Sequence, residues 1–343
     1  MKKFLILLFA LMLLTGCREK TPGGAGDKEY TLQDYFPFVE NTLYIYGGEG
    51  NEFAEKQVFF DYIRGNRAQL RVINPGTIMA QVIEIEGGEI RRSISKEEHY
   101  HFEDITAAAK EKTDILLKEP LEKGNTWTLT DGMERSITGV NVEVETPSGT
   151  YRAIEVVTIM GENTKQLDYY VAKIGHVKSV FQSTDFEVIT ELERMIRNQP
   201  LDYSMTLFFP DLTREQQVYV ERNIPIETNE DIKKVFEAQL KNPPNRDITA
   251  PLSPNTRILE ILRNEDEDLV VVNFTKEFVQ EMNVGSYSEG QILESVVNTF
   301  GTNYNVRRVM LQIEGKPYQS GHFEMRDGEY FTINPEKAKA YGE

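Results

Sequence analysis

The chain is poor in the residues that reactive proteins use. Its 343 residues include one cysteine, Cys17, one tryptophan and four histidines. A lone cysteine excludes an internal disulfide and any zinc or iron–sulfur site built from several thiolates. There is no run of five or more basic residues, and the net charge is −17. Such a chain does not attract nucleic acid or an anionic lipid surface through its bulk charge. No apolar run reaches the roughly 20 residues that a membrane-spanning helix needs. No G-x-S-x-G, H-E-x-x-H, phosphate-loop or dinucleotide fingerprint occurs. No cofactor is expected.

What is present begins at Lys2 and Lys3, followed by the apolar run from Phe4 to Leu14. A positive start and a short apolar stretch read as an export signal. Leu14-Thr15-Gly16-Cys17 then resembles the bacterial lipobox, in which the cysteine receives a diacylglycerol and becomes the new N-terminus. The resemblance implies that residues 1–16 are removed and that Cys17 is lipidated. Acyl chains would then hold the protein at the extracytoplasmic face of the cell membrane. Residues 17–29, with Thr-Pro-Gly-Gly-Ala-Gly, read as a flexible tether.

Residues 30–197 read as a β-rich domain. Val58 to Ile63 and Ala68 to Ile73 flank Gly65-Asn66; Ile78 to Ile85 and Ile90 to Ile94 flank Gly87-Gly88. Val140 to Val144 and Tyr151 to Ile159 flank Pro147-Ser148-Gly149. These are hairpin signals. Ile105 to Leu117 reads as one short helix. Two further strands lie within Asp168 to Val180, turning at Gly175. An antiparallel sheet or half-barrel is expected. "LEKGNTW" and "YYVAKIGHVKSVF" resemble a β-rich domain of other bacterial lipoproteins, to which no function is attached.

Asn198-Gln199-Pro200 marks a boundary, and residues 198–335 alternate strands with helices. Met205 to Phe209, ended by Pro210, and Val218 to Ile224 are strands. Thr228 or Asn229 would cap a helix that buries Ile232, Val235, Phe236 and Leu240 on one face. Ile258 to Leu262 and Leu269 to Phe274 form a hairpin. Ser288 with Gln291 is a capping-box pattern opening a second helix that buries Leu293, Val296, Val297 and Phe300. A strand with Val309, Leu311 and Ile313 inward follows. The fold class is α+β: an antiparallel β-rich domain, then a two-layer α+β domain with a small sheet and two helices on one face. Residues 336–343 would be a tail.

The second half resembles the GerMN domain of spore-germination and sporulation lipoproteins. The residues that carry this are "MTLFFPD", "APLSPNTRILEI", "VVVNFTKEF" and "GQILESVVNTFGTNYNVRRVMLQIEGKPY". Asn242-Pro243 and Asn255-Thr256 stand where the family usually has Gly-Pro and Gly-Thr. Asparagine could supply the left-handed turn there. The resemblance implies an extracytoplasmic, non-catalytic module that binds a partner, in sporulation, germination or envelope assembly. The partner would be an envelope protein or peptidoglycan. Two other readings stand beside it: a cell-wall hydrolase acting through carboxylates, and a carrier of an apolar ligand in the β-rich domain.

Individual residues support little chemistry. His99 and His101, in "KEEHYHFED", are weak metal candidates; a solvated polar edge is the plainer reading. Ser93-Ile94-Ser95-Lys96 matches S-x-x-K without the supporting elements of acyl-enzymes. Asn264-Glu265-Asp266-Glu267-Asp268 reads as a polar hairpin tip rather than a calcium loop. His176 and His322 are isolated. In the helix–strand unit near the C-terminus, burial and turn geometry leave Asn303, Tyr304, Arg307, Arg308 and Gln312 as candidate surface residues for partner binding.

Overall fold

The structure, a computed structural model, describes residues 30–110 and 113–342. The expected export signal, Cys17 and the tether lie outside the described residues.

The first half is one antiparallel sheet. Its strands are β1 (Thr42–Glu49), β2 (Lys56–Arg64), β3 (Arg67–Ile73), β4 (Ile78–Glu86), β5 (Glu89–Lys96) and β6 (Asp114–Lys118), then β7 (Thr126–Thr128), β8 (Glu134–Thr146), β9 (Gly149–Gly161), β10 (Thr164–Val171), β11 (Gly175–Gln182) and β12 (Glu187–Arg197). Their order across the sheet is β6-β5-β4-β3-β2-β1-β12-β11-β10-β9-β8-β7. The first and last strands therefore meet in the middle, and β6 and β7 are the edges. The sheet curls until those edges face each other. Trp127 Nε1 and Arg135 donate to the Ile115 carbonyl at 3.1 and 2.6 Å, and the Asn125 amide donates to the Lys118 carbonyl at 2.8 Å. Side chains thus close a near-barrel that no backbone ladder completes, and they occupy carbonyls that would otherwise be open to strand addition.

Alternation sorts the strands into two faces. Val58, Phe60, Leu70, Val72 and Ile83 point into the lumen core. Gly87 and Gly88, at φ +60 and +74, supply the left-handed pair that the two-residue β4–β5 hairpin requires. The described residues of the helix expected over 105–117 take no helical structure. Ile105 lies in a turn and packs with Ala80, Val82 and Ile94 on the outer face of the sheet, and β6 takes Asp114–Lys118. Tertiary burial of Ile105 and pairing with β5 outweigh local helix preference.

The second half holds β13 (Leu201–Asp211), β14 (Gln216–Ile226), α1 (Ile232–Leu240), β15 (Ile258–Asn264), β16 (Leu269–Phe274), α2 (Glu277–Gln280) and α3 (Ser286–Asn303). β17 (Arg308–Ile313), β18 (Lys316–Pro317), β19 (Phe331–Thr332) and β20 (Lys339–Ala340) complete it. One sheet runs β13-β14-β20; the other runs β15-β16-β17-β18, with β19 also on β17. β16 and β17 are parallel, and α3 is their crossover. Met205, Leu207 and Phe209 share one core with Val270, Val272 and Phe274 and with Leu293, Val296, Val297 and Phe300 of α3.

Several expectations change here. The strands form two sheets, not one small sheet, and α3 packs against both. β13 continues through Pro210, whose carbonyl accepts from Thr249 N–H at 3.1 Å. Asp231, not Thr228 or Asn229, caps α1; its carboxylate accepts from Lys233 N–H at 3.2 Å. α3 begins at Ser286, two residues before the expected cap. Neither Asn242 nor Asn255 takes a positive φ. Lys339 and Ala340, expected in a tail, pair with β14.

Candidate functional site

The parallel pair β16–β17 sets up an inner and an outer face. Val270, Val272, Phe274, Val309 and Leu311 are buried beneath the helices. Their neighbours Val271, Asn273, Met310 and Gln312 alternate to the other side, in register as Val271↔Met310 and Asn273↔Gln312. β15 extends that face, with Leu262 opposite Val271 and Glu260 opposite Asn273. Leu262 is 47% exposed. The result is a mixed apolar and polar sheet face turned away from the helices. At its edge the exposed Arg308 guanidinium lies 4.7 Å from the Tyr330 ring centroid. The Gln312 amide reaches Met310 Sδ at 3.8 Å. Arg307 pairs with Asp268 at 2.7 Å, and that hydrogen bond holds the Asp268 carboxyl below the usual carboxylate range.

The other two candidates of this set, Asn303 and Tyr304, are not on the surface. The Asn303 side chain accepts from Thr206 N–H at 3.2 Å and donates to the Thr206 and Thr299 carbonyls at 2.6 and 2.7 Å. One helical turn earlier, Thr299 Oγ1 accepts from Phe208 N–H at 3.0 Å. Together they satisfy the backbone along the edge of β13. Tyr304 is 2% exposed and donates its hydroxyl to the Phe102 carbonyl of the first half, at 3.2 Å. Spacing of Thr and Asn one turn apart, beside the apolar residues Val296 and Phe300, was the available signal. It cannot be read as edge-capping until the edge strand is placed.

His99 and His101 correct a second expectation. They are not a solvated edge. Each is 2% exposed, and their rings stand 4.2 Å apart. The His101 ring packs 5.2 Å from that of Tyr304, across the seam between the halves. Neither nitrogen of the His99 ring has a partner among the described residues; His101 Nε2 faces Glu103 at 3.4 Å. Burial, and then the neighbouring His101 and Arg71, push the His99 imidazole far below its ordinary range. Beneath the pair, Arg71 meets Asp61 at 3.0 Å and donates to the His99 and His101 carbonyls at 2.8 and 2.7 Å. Asp61 and Arg71 escaped the sequence reading. Their signal is a charge inside each of two apolar runs, "FFDYI" and "AQLRV". Among the described residues, no group of three or more His, Cys, Asp or Glu side chains is placed to hold a metal ion.

The remaining motifs are dispersed. Ser93 is buried and donates to the Val82 carbonyl at 3.3 Å, while Lys96 pairs across the seam with Glu265 at 3.6 Å. Glu265 also meets Arg263 at 2.8 Å, so two acids of the 264–268 tip, Glu265 and Asp268, are held in ion pairs. His176 pairs with Asp168 at 3.0 Å, and His322 with Glu289 at 2.6 Å. No helix among the described residues is long and apolar enough to cross a membrane.

An antiparallel near-barrel joined to a mixed α/β module defines the architecture. Residues 206–319 match the family model Germane, described as sporulation and spore germination. That match covers about a third of the chain and lies within the mixed module. Among solved structures it is similar to the tandem GerMN domains of the sporulation protein GerM from Bacillus subtilis, at 16% identity over 40% of this chain and 47% of that one, with a TM-score of 0.30. The chain thus spans about half the length of that structure. It is also similar to the first GerMN domain of the same protein, at 17% identity over 41% of this chain and 98% of that one, TM-score 0.28. A candidate lipoprotein from Parabacteroides distasonis matches at 14% identity over 49% of this chain and 100% of that one, TM-score 0.30. No curated protein matches the chain.

Proposed function

We propose that the protein is a lipid-anchored, extracytoplasmic binding module that acts without catalysis in sporulation, germination or envelope assembly. The observation that carries this reading is the family match over residues 206–319. In that segment the characteristic residues, from Val296 and Val297 to Thr299, Asn303 and Gly315, serve core, strand edge and turn. Cys17 is the anchor. The outer sheet face around Leu262, Met310, Gln312 and Arg308 is the partner surface, because an aromatic, an arginine and apolar side chains meet there. The partner is an envelope protein or peptidoglycan.

The test uses a photo-reactive side chain at Gln312 in intact cells, with Cys17→Ala as the unanchored control, and purified cell wall as substrate in vitro. We expect one defined crosslinked partner, loss of fatty-acid label in Cys17→Ala, and no soluble muropeptides by mass spectrometry. Release of muropeptides that one carboxylate substitution abolishes, without unfolding, would replace this reading with the hydrolase.

A further inference from the structure

We propose that the lumen of the near-barrel binds a compact amphiphile with an apolar body and an anionic head, of the class of medium-chain carboxylates. The site is remote from the module's sheet face and is independent of the function proposed above. Its basis is a half-open cavity of about 170 Å³ lined by the first six strands, β10, β11 and the segment around Phe36. The walls are apolar: Tyr44, Val58, Phe60, Leu70, Val72 and Ile83 all contribute. A cavity of about 150 Å³ with such walls holds a benzene-sized molecule. The lumen therefore fits a body of about six to eight carbons.

The polar groups in this lumen are not balanced. Arg92 is matched by Asp114 at 2.9 Å, and His176 by Asp168 at 3.0 Å. Lys56 also lines the cavity but makes no ion pair or hydrogen bond among the described residues; the carboxylate whose charge acts on it, Asp168, is already paired with His176, and its ammonium stands 5.0 Å from the Tyr46 ring centroid. Tyr44 and Tyr170, 6% and 3% exposed, line the same cavity with hydroxyls that have no hydrogen-bond partner among the described residues. Polar groups set into apolar walls are ordinarily paired, and these three face the open space of the cavity without a hydrogen bond. Burial indeed pushes the Lys56 ammonium below the ordinary lysine range. One ammonium and two hydroxyls, set into apolar walls, form a donor set for a carboxylate whose alkyl or aryl body fills the cavity.

The experiment titrates the chain from residue 18 onward, which keeps every described residue, with octanoate, octan-1-ol and acetate. Binding is read by calorimetry and by amide NMR shifts. Octanoate should bind and shift amides of β2, β3 and β10; acetate, lacking the body, should not bind. Lys56→Met should weaken octanoate about ten- to hundredfold while changing octanol by less than about twofold, since only the charged head loses its charge-assisted bond. Tyr170→Phe, which removes one hydroxyl and keeps the ring, should weaken octanoate several-fold and serves if the Lys56 variant fails to fold. Absence of octanoate binding at about 1 mM overturns the proposal. So do equal affinities in wild type and both variants, or shifts confined to residues outside the lumen.

Discussion

At the scale of single residues, the loop carrying His99 and His101 shows how far context changes a side chain's meaning. Two histidines two positions apart suggest ligands, yet here they are rings stacked against Tyr304 over a buried ion pair. The charges of Asp61 and Arg71 are tolerated because each is hydrogen-bonded: Arg71 to Asp61 and two carbonyls, Asp61 also to Gln69 at 3.2 Å. The His99 ring has no such support, and burial holds it neutral. In the unfolded chain a histidine titrates near about 6.5. Because the folded value lies below that, the stability tied to neutral His99 is complete above about pH 6.5 and is lost as the pH falls. Between about pH 7.5 and about pH 5 the loss should be about 2 kcal/mol from this residue. His99→Phe should remove that share and flatten the profile. Urea midpoints at the two pH values measure it, and parallel profiles for wild type and variant would contradict it.

At the scale of elements, β13 poses the problem that every edge strand poses. It is paired with β14 on one side only, and the other side faces α3. Thr299 and Asn303 solve the problem by offering side-chain groups to Thr206 and Phe208 in place of a missing strand. That role answers why a helix with an apolar core face keeps Thr299 and Asn303 among its buried residues. Asn303→Ala would leave the Thr206 N–H and C=O unpaired, at a cost of about 2 kcal/mol. The expected thermal midpoint is about 5 °C lower, by scanning calorimetry. A midpoint unchanged within about one degree would mean that water replaces the amide without loss. On the other side of the molecule, Trp127, Arg135 and Asn125 do comparable work at β6.

At the scale of the whole molecule, two cores meet at a small shared one. Phe59 and Phe102 from the first half pack with Leu201 and Ile226 from the second. Asn41 and Thr228 exchange hydrogen bonds at 2.9 and 2.8 Å, and Asn229 accepts from Ile63 N–H at 2.8 Å. The large core around α3 lies wholly within the second half, so a fragment of residues 198–342 is expected to fold alone. It should be less stable than the intact chain, because Tyr203, Tyr304 and Ile226 lose their cover. Dispersed amide NMR signals together with a lowered thermal midpoint would agree. A molten fragment would show instead that the seam is needed for the second core to form.

Much of this was legible in the chain. Gly87-Gly88 announced its hairpin, and Val296, Val297 and Phe300 announced the buried face of α3. Val309 and Leu311 announced an inward-facing strand. The family resemblance, over roughly residues 200–335, rested on its own motifs, and the family model matches residues 206–319 within it. Periodicity and turn chemistry are properties of near neighbours, so sequence alone determines them. Other features were decided only by the tertiary structure. The pairing of β1 with β12, the closing of β6 onto β8 through Arg135, the burial of His99 and Tyr304 in the seam and the placing of Lys56 with Tyr170 in the lumen all join residues far apart in the chain. Whether a polar side chain there is solvated, paired or left alone depends on which distant backbone arrives beside it, and no local pattern records that.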